Sequence, residues 1–98
     1  MFEIDDGNDG VIAFHGRFDA AQCDKAQGVL DAAGSARVFD FRDLEYISSA
    51  GLGVLLKAHK RLLAGGGRLR LINVNNHIFD IFRFSGFDKV FDVERAGS

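Results

Sequence analysis

The chain has 98 residues, 47% of them hydrophobic and 27% charged, with a formal net charge of -2; this predicts one small domain over residues 1–98 with a single core. So slight an acidic excess gives no reason to expect nucleic acid or an anionic membrane surface as partner, and the lone Cys23 closes no internal bridge, which suits a reducing compartment. No run approaches the roughly 18 apolar residues of a membrane span and no signal peptide opens the chain, so the cytoplasm is the expected location.

In chain order, Phe2-Glu3-Ile4 and Val11-Ile12-Ala13-Phe14 read as short strands around Asp5-Asp6-Gly7-Asn8-Asp9-Gly10, whose Gly and Asn suit the positive-φ positions of a hairpin. Gly16-Arg17-Phe18-Asp19 then turns the chain into a first helix. Asp19 is the expected N-cap, and Gln22 three residues on completes a capping box. Cys23, Ala26, Val29 or Leu30, and Ala33 recur at helical spacing, and Gly34 sits where a C-terminal stop belongs. Arg37-Val38-Phe39-Asp40-Phe41 reads as a strand and Arg42-Asp43-Leu44-Glu45 as a polar connection.

The stretch from Tyr46 to Leu56 organises the rest. An apolar run ends in two hydroxyls, Ser48 and Ser49, and helical periodicity begins at once. Leu52, Leu55, Leu56, His59, Leu62 and Leu63 fall in the register of one buried face. That spacing puts Ser49 at the helix N-cap, beside unpaired N–H groups and the positive end of the dipole, where a phosphate is held at little cost. Ser49 is read as a phosphoacceptor on a binding module; the plain alternative is a serine that only caps.

Gly65-Gly66-Gly67 ends this helix. It lacks the Gly-Lys-Ser/Thr ending of a phosphate loop and follows a helix instead of preceding one. Arg68-Leu69-Arg70-Leu71-Ile72-Asn73-Val74 alternates as a strand covered on one face. Asn75 or Asn76 caps a third helix with Ile78, Phe79, Ile81 and Phe82 inward, Ser85-Gly86 breaks it, and Lys89-Val90-Phe91-Asp92-Val93 is a last strand. Residues 94–98 read as a disordered tail. Ten Phe against one Tyr and no Trp predict a core built largely of phenylalanine. Among the late ones, Phe79, Phe82, Phe84, Phe87 and Phe91, one or two are left as candidate exposed contacts. The expected fold class is α/β: a mixed, mainly parallel sheet of four to five strands packed with three helices through right-handed crossovers, one sheet face less covered than the other.

Enzyme chemistry finds little support. Ile47 stands two before Ser49, so the Gly-x-Ser-x-Gly elbow is absent. His15 and His59 read as packed or satisfied and His77 as exposed, and no pair has a metal-ligand spacing. Asp5-Asp6 serves a turn. No catalytic residue, cofactor or metal is expected; a small hydrolase using Ser49 is the weakest reading carried.

Tyr46 to Leu56 resembles the signature of the STAS domain, as found in bacterial anti-sigma factor antagonists. Three further pieces match in order: Gly16-Arg17-Phe18-Asp19 as the family's glycine–aspartate turn, Val38-Phe39-Asp40-Phe41 as its central strand, and residues 82–91 as its late helix, glycine turn and final strand. Ser48 stands where Asp is usual and Ala50 where a second hydroxyl is common, and the family's terminal helix has no counterpart after Val93. The resemblance implies a STAS-like fold and a non-enzymatic antagonist that works by partner switching in transcription regulation. Unmodified, it would bind an anti-sigma factor that is itself a serine kinase. Phosphorylation would release it, and a serine phosphatase would reset it. Carried over by position, the phosphoacceptor is Ser49, with Ser48 the alternative, and the partner-binding positions are Asp19, Ser48, Ser49, Gly51, Leu52 and Gly53. The other reading is a STAS regulatory domain of a different system, a lipid or anion transporter subunit or a larger signalling assembly.

Overall fold

The structure, a computed structural model, describes residues 1–7, 9–33 and 36–97. A five-stranded sheet of order β1-β2-β3-β4-β5 is built from Phe2–Asp6, Val11–Phe18, Val38–Ile47, Arg70–Val74 and Asp92–Arg95. Strand β1 pairs antiparallel with β2, and the other neighbours are parallel. Helices α1 (Cys23–Ala33), α2 (Ser49–Ala64) and α3 (Asn76–Ser85) form the three crossovers. The expected α/β class, the mixed mainly parallel sheet and the three helices are all present.

Because β2 to β5 are laid down side by side in sequence, three right-handed crossovers must drop all three helices on the same face. Burial agrees. Ile12, Phe14 and Phe18 of β2 and Phe39, Phe41, Leu44 and Ile47 of β3 are sealed on that face with Leu55 of α2, Ile78 and Phe82 of α3. Phe14 is the hub of an aromatic cluster, its ring 5.0 Å from Phe41, 5.2 Å from Phe39 and 5.7 Å from Phe18. Each such ring removes of the order of 2–3 kcal/mol worth of apolar surface from water. Across the sheet, Val11, Ala13, His15, Val38, Asp40 and Ile72 are only half-buried and Arg17 and Arg70 are exposed. The asymmetry anticipated from residues 68 to 74 is a property of the whole sheet.

Several boundaries differ from the sequence expectation, each for a physical reason. Strand β2 runs through Gly16 to Phe18 instead of turning there; Gly16, at φ +84°, lets the Met1 carbonyl approach a space that a Cβ would fill. The segment 42–45, expected as a connection, is the continuation of β3. Opposite Ala13 to His15 that strand advances from Asp40 to Asp43, and opposite Gly16 to Arg17 from Leu44 to Tyr46. These two bulges shift the inward set to Phe41, Leu44 and Ile47, so simple alternation is lost. Asn73, at φ 57°, marks a bulge in β4 and donates to the Asp40 carboxylate at 3.0 Å. The last strand begins at Asp92, and Phe87–Lys89 form a 3-10 turn. Pairing thus reaches into the 94–98 stretch expected as tail: Val74 faces Arg95, and Ala96 donates to the Val74 carbonyl at 2.9 Å. The helix stop expected at Gly34, the Asn8 position of the hairpin turn and the last residue, Ser98, lie outside the described residues.

Candidate functional site

The candidate site stands at the carboxyl ends of β2 and β3. Phe18 pairs with Ile47, and the Ser48 N–H donates to the Phe18 carbonyl at 2.9 Å. Asp19 and Ser49 therefore leave two adjacent strand tips on one edge of the sheet.

The helix cap is one residue earlier than expected. Ser48, at φ -85° and ψ 169°, is the N-cap of α2; its Oγ accepts from the Gly51 N–H at 3.1 Å and its carbonyl accepts from Leu52 at 2.9 Å. Ser49 is the first helical residue and its side chain is exposed. The division of labour between two neighbouring hydroxyls is clear: Ser48 is half-buried and engaged, Ser49 is free toward solvent. No acidic side chain occupies the first turn of α2, so the partial positive charge there is not offset locally.

Asp19 is half-buried and extended at φ -100° and ψ -178°. It precedes a 3-10 turn, Ala20–Gln22, without a capping bond from its side chain. The expected Asp19–Gln22 capping box is absent because the tighter turn brings the Gln22 N–H onto the Asp19 carbonyl instead, at 3.1 Å. The Gln22 Oε1 is buried with no partner. Cys23, half-buried, turns its thiol to the same Asp19 carbonyl at 3.7 Å; burial, then Asp24 and Asp19, push its pKa up.

The expected docking set divides by exposure. Ser49 and Gly53 are exposed, Asp19 and Ser48 half-buried, Gly51 and Leu52 buried. Gly51 serves the inside of the molecule: a Cβ there would lie 2.9 Å from Ile47 Cγ1 and 3.2 Å from the Phe18 carbonyl oxygen. Its smallness lets α2 sit down on the two strand tips. Ala50, exposed beside Ser49, belongs to the outward surface; the sequence marks it only as a departure from the signature, not as a contact. Asp43, in the segment read as a polar connection, pairs with His15 at 3.3 Å on the uncovered sheet face. Next to the site on that face, Arg17 stacks over Tyr46, 4.4 Å from its ring centre.

Two histidines are engaged away from the serines, His15 with Asp43 and His59 edge-on to Phe91 at 5.2 Å. His59 is 4% exposed. Burial, reinforced by Arg68 and opposed by Asp92, holds its pKa below the ordinary histidine value. No cluster of three metal-ligating side chains occurs among the described residues.

The chain as a whole is similar to known proteins. A family model described as "Mlab, STAS domain" matches residues 2–93. BtrV of Bordetella bronchiseptica, named provisionally as an anti-sigma factor antagonist, is 39% identical over 77 residues, 79% of this chain and 60% of that protein. The chain thus spans three fifths of that relative's length. The Bacillus cell fate determinant SpoIIAA, solved in its phosphorylated form, superposes with a TM-score of 0.66 at 21% identity, covering 95% of this chain and 90% of its own. A sulfate transporter family protein from Wolinella succinogenes gives 0.72 at 22% identity over 86% and 74%. At those identities the two structures attest the fold alone.

Proposed function

The chain belongs to the STAS domain family, and from that premise we propose that it is a non-enzymatic anti-sigma factor antagonist whose unmodified form binds an anti-sigma factor serine kinase in the cytoplasm. Phosphorylation of Ser49 releases the partner and a serine phosphatase restores binding. The observation that carries this reading is the pair of neighbouring serines: Ser48 supplies the cap, and Ser49 stands exposed at the first position of α2.

The energetics favour a switch. A phosphoserine adds a charge of about -1.5 to -2. The dipole of α2 stabilises it by about 0.3–1 kcal/mol, so the fold carries the modification without loss. A partner surface shaped around a neutral hydroxyl meets the same charge as an intrusion, and about 2.8 kcal/mol of penalty weakens binding roughly a hundredfold. The docking surface on this reading comprises Asp19, Ser49, Ala50 and Gly53, with Ser48, Gly51 and Leu52 shaping it from beneath. SpoIIAA, solved in a phosphorylated state, and BtrV, the closer relative in sequence, support the assignment.

Incubation with a cognate kinase and ATP, read by mass spectrometry on wild type and Ser49→Ala, tests the site. Phosphate on the wild type and none on the variant is expected; equal uptake by both moves the acceptor to Ser48. The likeness to a sulfate transporter family protein supports a second reading, a STAS regulatory domain of a transporter. Co-purification of a permease subunit instead of a small kinase would favour it.

A further inference from the structure

His59 lies on α2 with its ring sealed against Phe91 and its Nδ1 buried without a hydrogen-bond partner. A histidine in that position has no way to share a second proton: charging it leaves a buried N–H⁺ without an acceptor. The charged groups that act on it are Arg68, leading into β4, and Asp92, opening β5, and these pair with each other at 3.2 Å. The carboxylate is thereby committed to the guanidinium, which itself opposes a second cation nearby.

What sits over His59 is the thinnest part of the sheet. Phe91 immediately precedes β5, a four-residue edge strand bonded on one side to β4. That strand is further held by exposed pairs, Arg68 with Asp92 and Arg70 with Glu94, and by Arg95 on the Asn76 side chain at 2.7 Å. Exposed pairs of this kind contribute little, so beyond its pairing with β4 the segment is held by its one buried side chain, Phe91, which packs on His59, Phe82 and Phe87.

We propose that His59 is an acid-responsive latch, and that its protonation releases residues 87–95, β5 included, from the buried face of α2. The sign follows from linkage. Above the ordinary histidine value of 6.5 neither form holds the proton and opening is independent of pH. Below it the open form charges first, and opening becomes easier by up to about tenfold per pH unit until the closed form charges as well.

Hydrogen exchange with mass spectrometry at about pH 7.5 and about pH 5.5, corrected for the chemical exchange rate, reads this directly. Protection of amides in 90–96 is expected to fall by up to about tenfold, with β2 and β3 unchanged. H59Q and H59F, which carry no titrating ring, are expected to abolish the pH response, and H15A/H77A to retain it. Equal protection at both pH values, a response spread over the whole sheet, or its persistence in H59Q or H59F would overturn the proposal. Should both His59 variants fail to fold, an NMR titration of the wild-type histidines decides. A His59 midpoint in the closed protein that does not lie below 6.5, where the loss of protection begins, overturns the latch.

Discussion

The N–H of Ser48 donates to the carbonyl of Phe18 at 2.9 Å, tying the tip of β3 to the tip of β2. That bond fixes the take-off of α2 and so decides which of two adjacent hydroxyls looks inward. Ser48→Ala is expected to remove the cap and cost about 1 kcal/mol, lowering Tm by about 4–8 °C in a domain of this size. Ser49→Ala should leave Tm within about 1 °C while abolishing phosphate uptake. Ser48→Asp should retain the cap and match or exceed wild-type stability. Thermal melts by circular dichroism check all three.

Gly51 and Gly53 are two residues apart on one helix and should respond oppositely to the same change. Gly51→Ala drives a methyl into Ile47 and the Phe18 carbonyl, an overpacking expected to destabilise by about 1–3 kcal/mol. Gly53→Ala meets open space and should stabilise by about 0.5–1 kcal/mol through helix propensity. Urea titrations give both values. On the proposed docking surface, Gly53→Ala should also weaken partner binding, which pull-down measures.

Phe82 and Phe84 make a similar contrast in α3. Phe82 is fully buried and packs 6.1 Å from Phe91, whereas Phe84 is 81% exposed. Phe82→Ala is expected to cost about 3–5 kcal/mol. Phe84→Ala should lie within about 0.5 kcal/mol of wild type. Denaturant midpoints distinguish them.

Cys23 is held protonated by burial and by Asp24 and Asp19. Its alkylation by iodoacetamide near neutral pH should therefore be slower than that of an unstructured cysteine peptide. Because the folded-state pKa is raised, the associated stability is present below the ordinary value of 9.0 and is lost as pH rises above it. Cys23→Ala should flatten that alkaline decline relative to wild type in melts across the range.

The elements legible in the sequence were those with an unbroken period. Helices α2 and α3 and the alternating β4 segment were readable because their apolar spacing is regular, and fold class followed. The rest failed where tertiary geometry outweighs local pattern. Residues 42–45 looked like a loop because two bulges space Phe41, Leu44 and Ile47 by three. Gly16 looked like a turn because nothing local announces that the Met1 carbonyl will occupy its Cβ space. The cap was displaced by one because Ser48 and Ser49 are chemically identical candidates, and only the Phe18 bond separates them. Leu63, placed on the buried stripe, is 53% exposed, while Leu62 beside it packs against the core. Gly51 was legible as a small residue required near the site, but not as one whose contacts are internal.

The side-by-side order of the strands is also an order in time. No strand has to be threaded between two that are already paired, so the sheet can grow by accretion as the polypeptide leaves the ribosome. The tips of β2 and β3 and the first turn of α2 are complete before α3 and β5 exist. The edge bearing Ser49 is thus assembled from neighbours in sequence, ahead of the segment over His59.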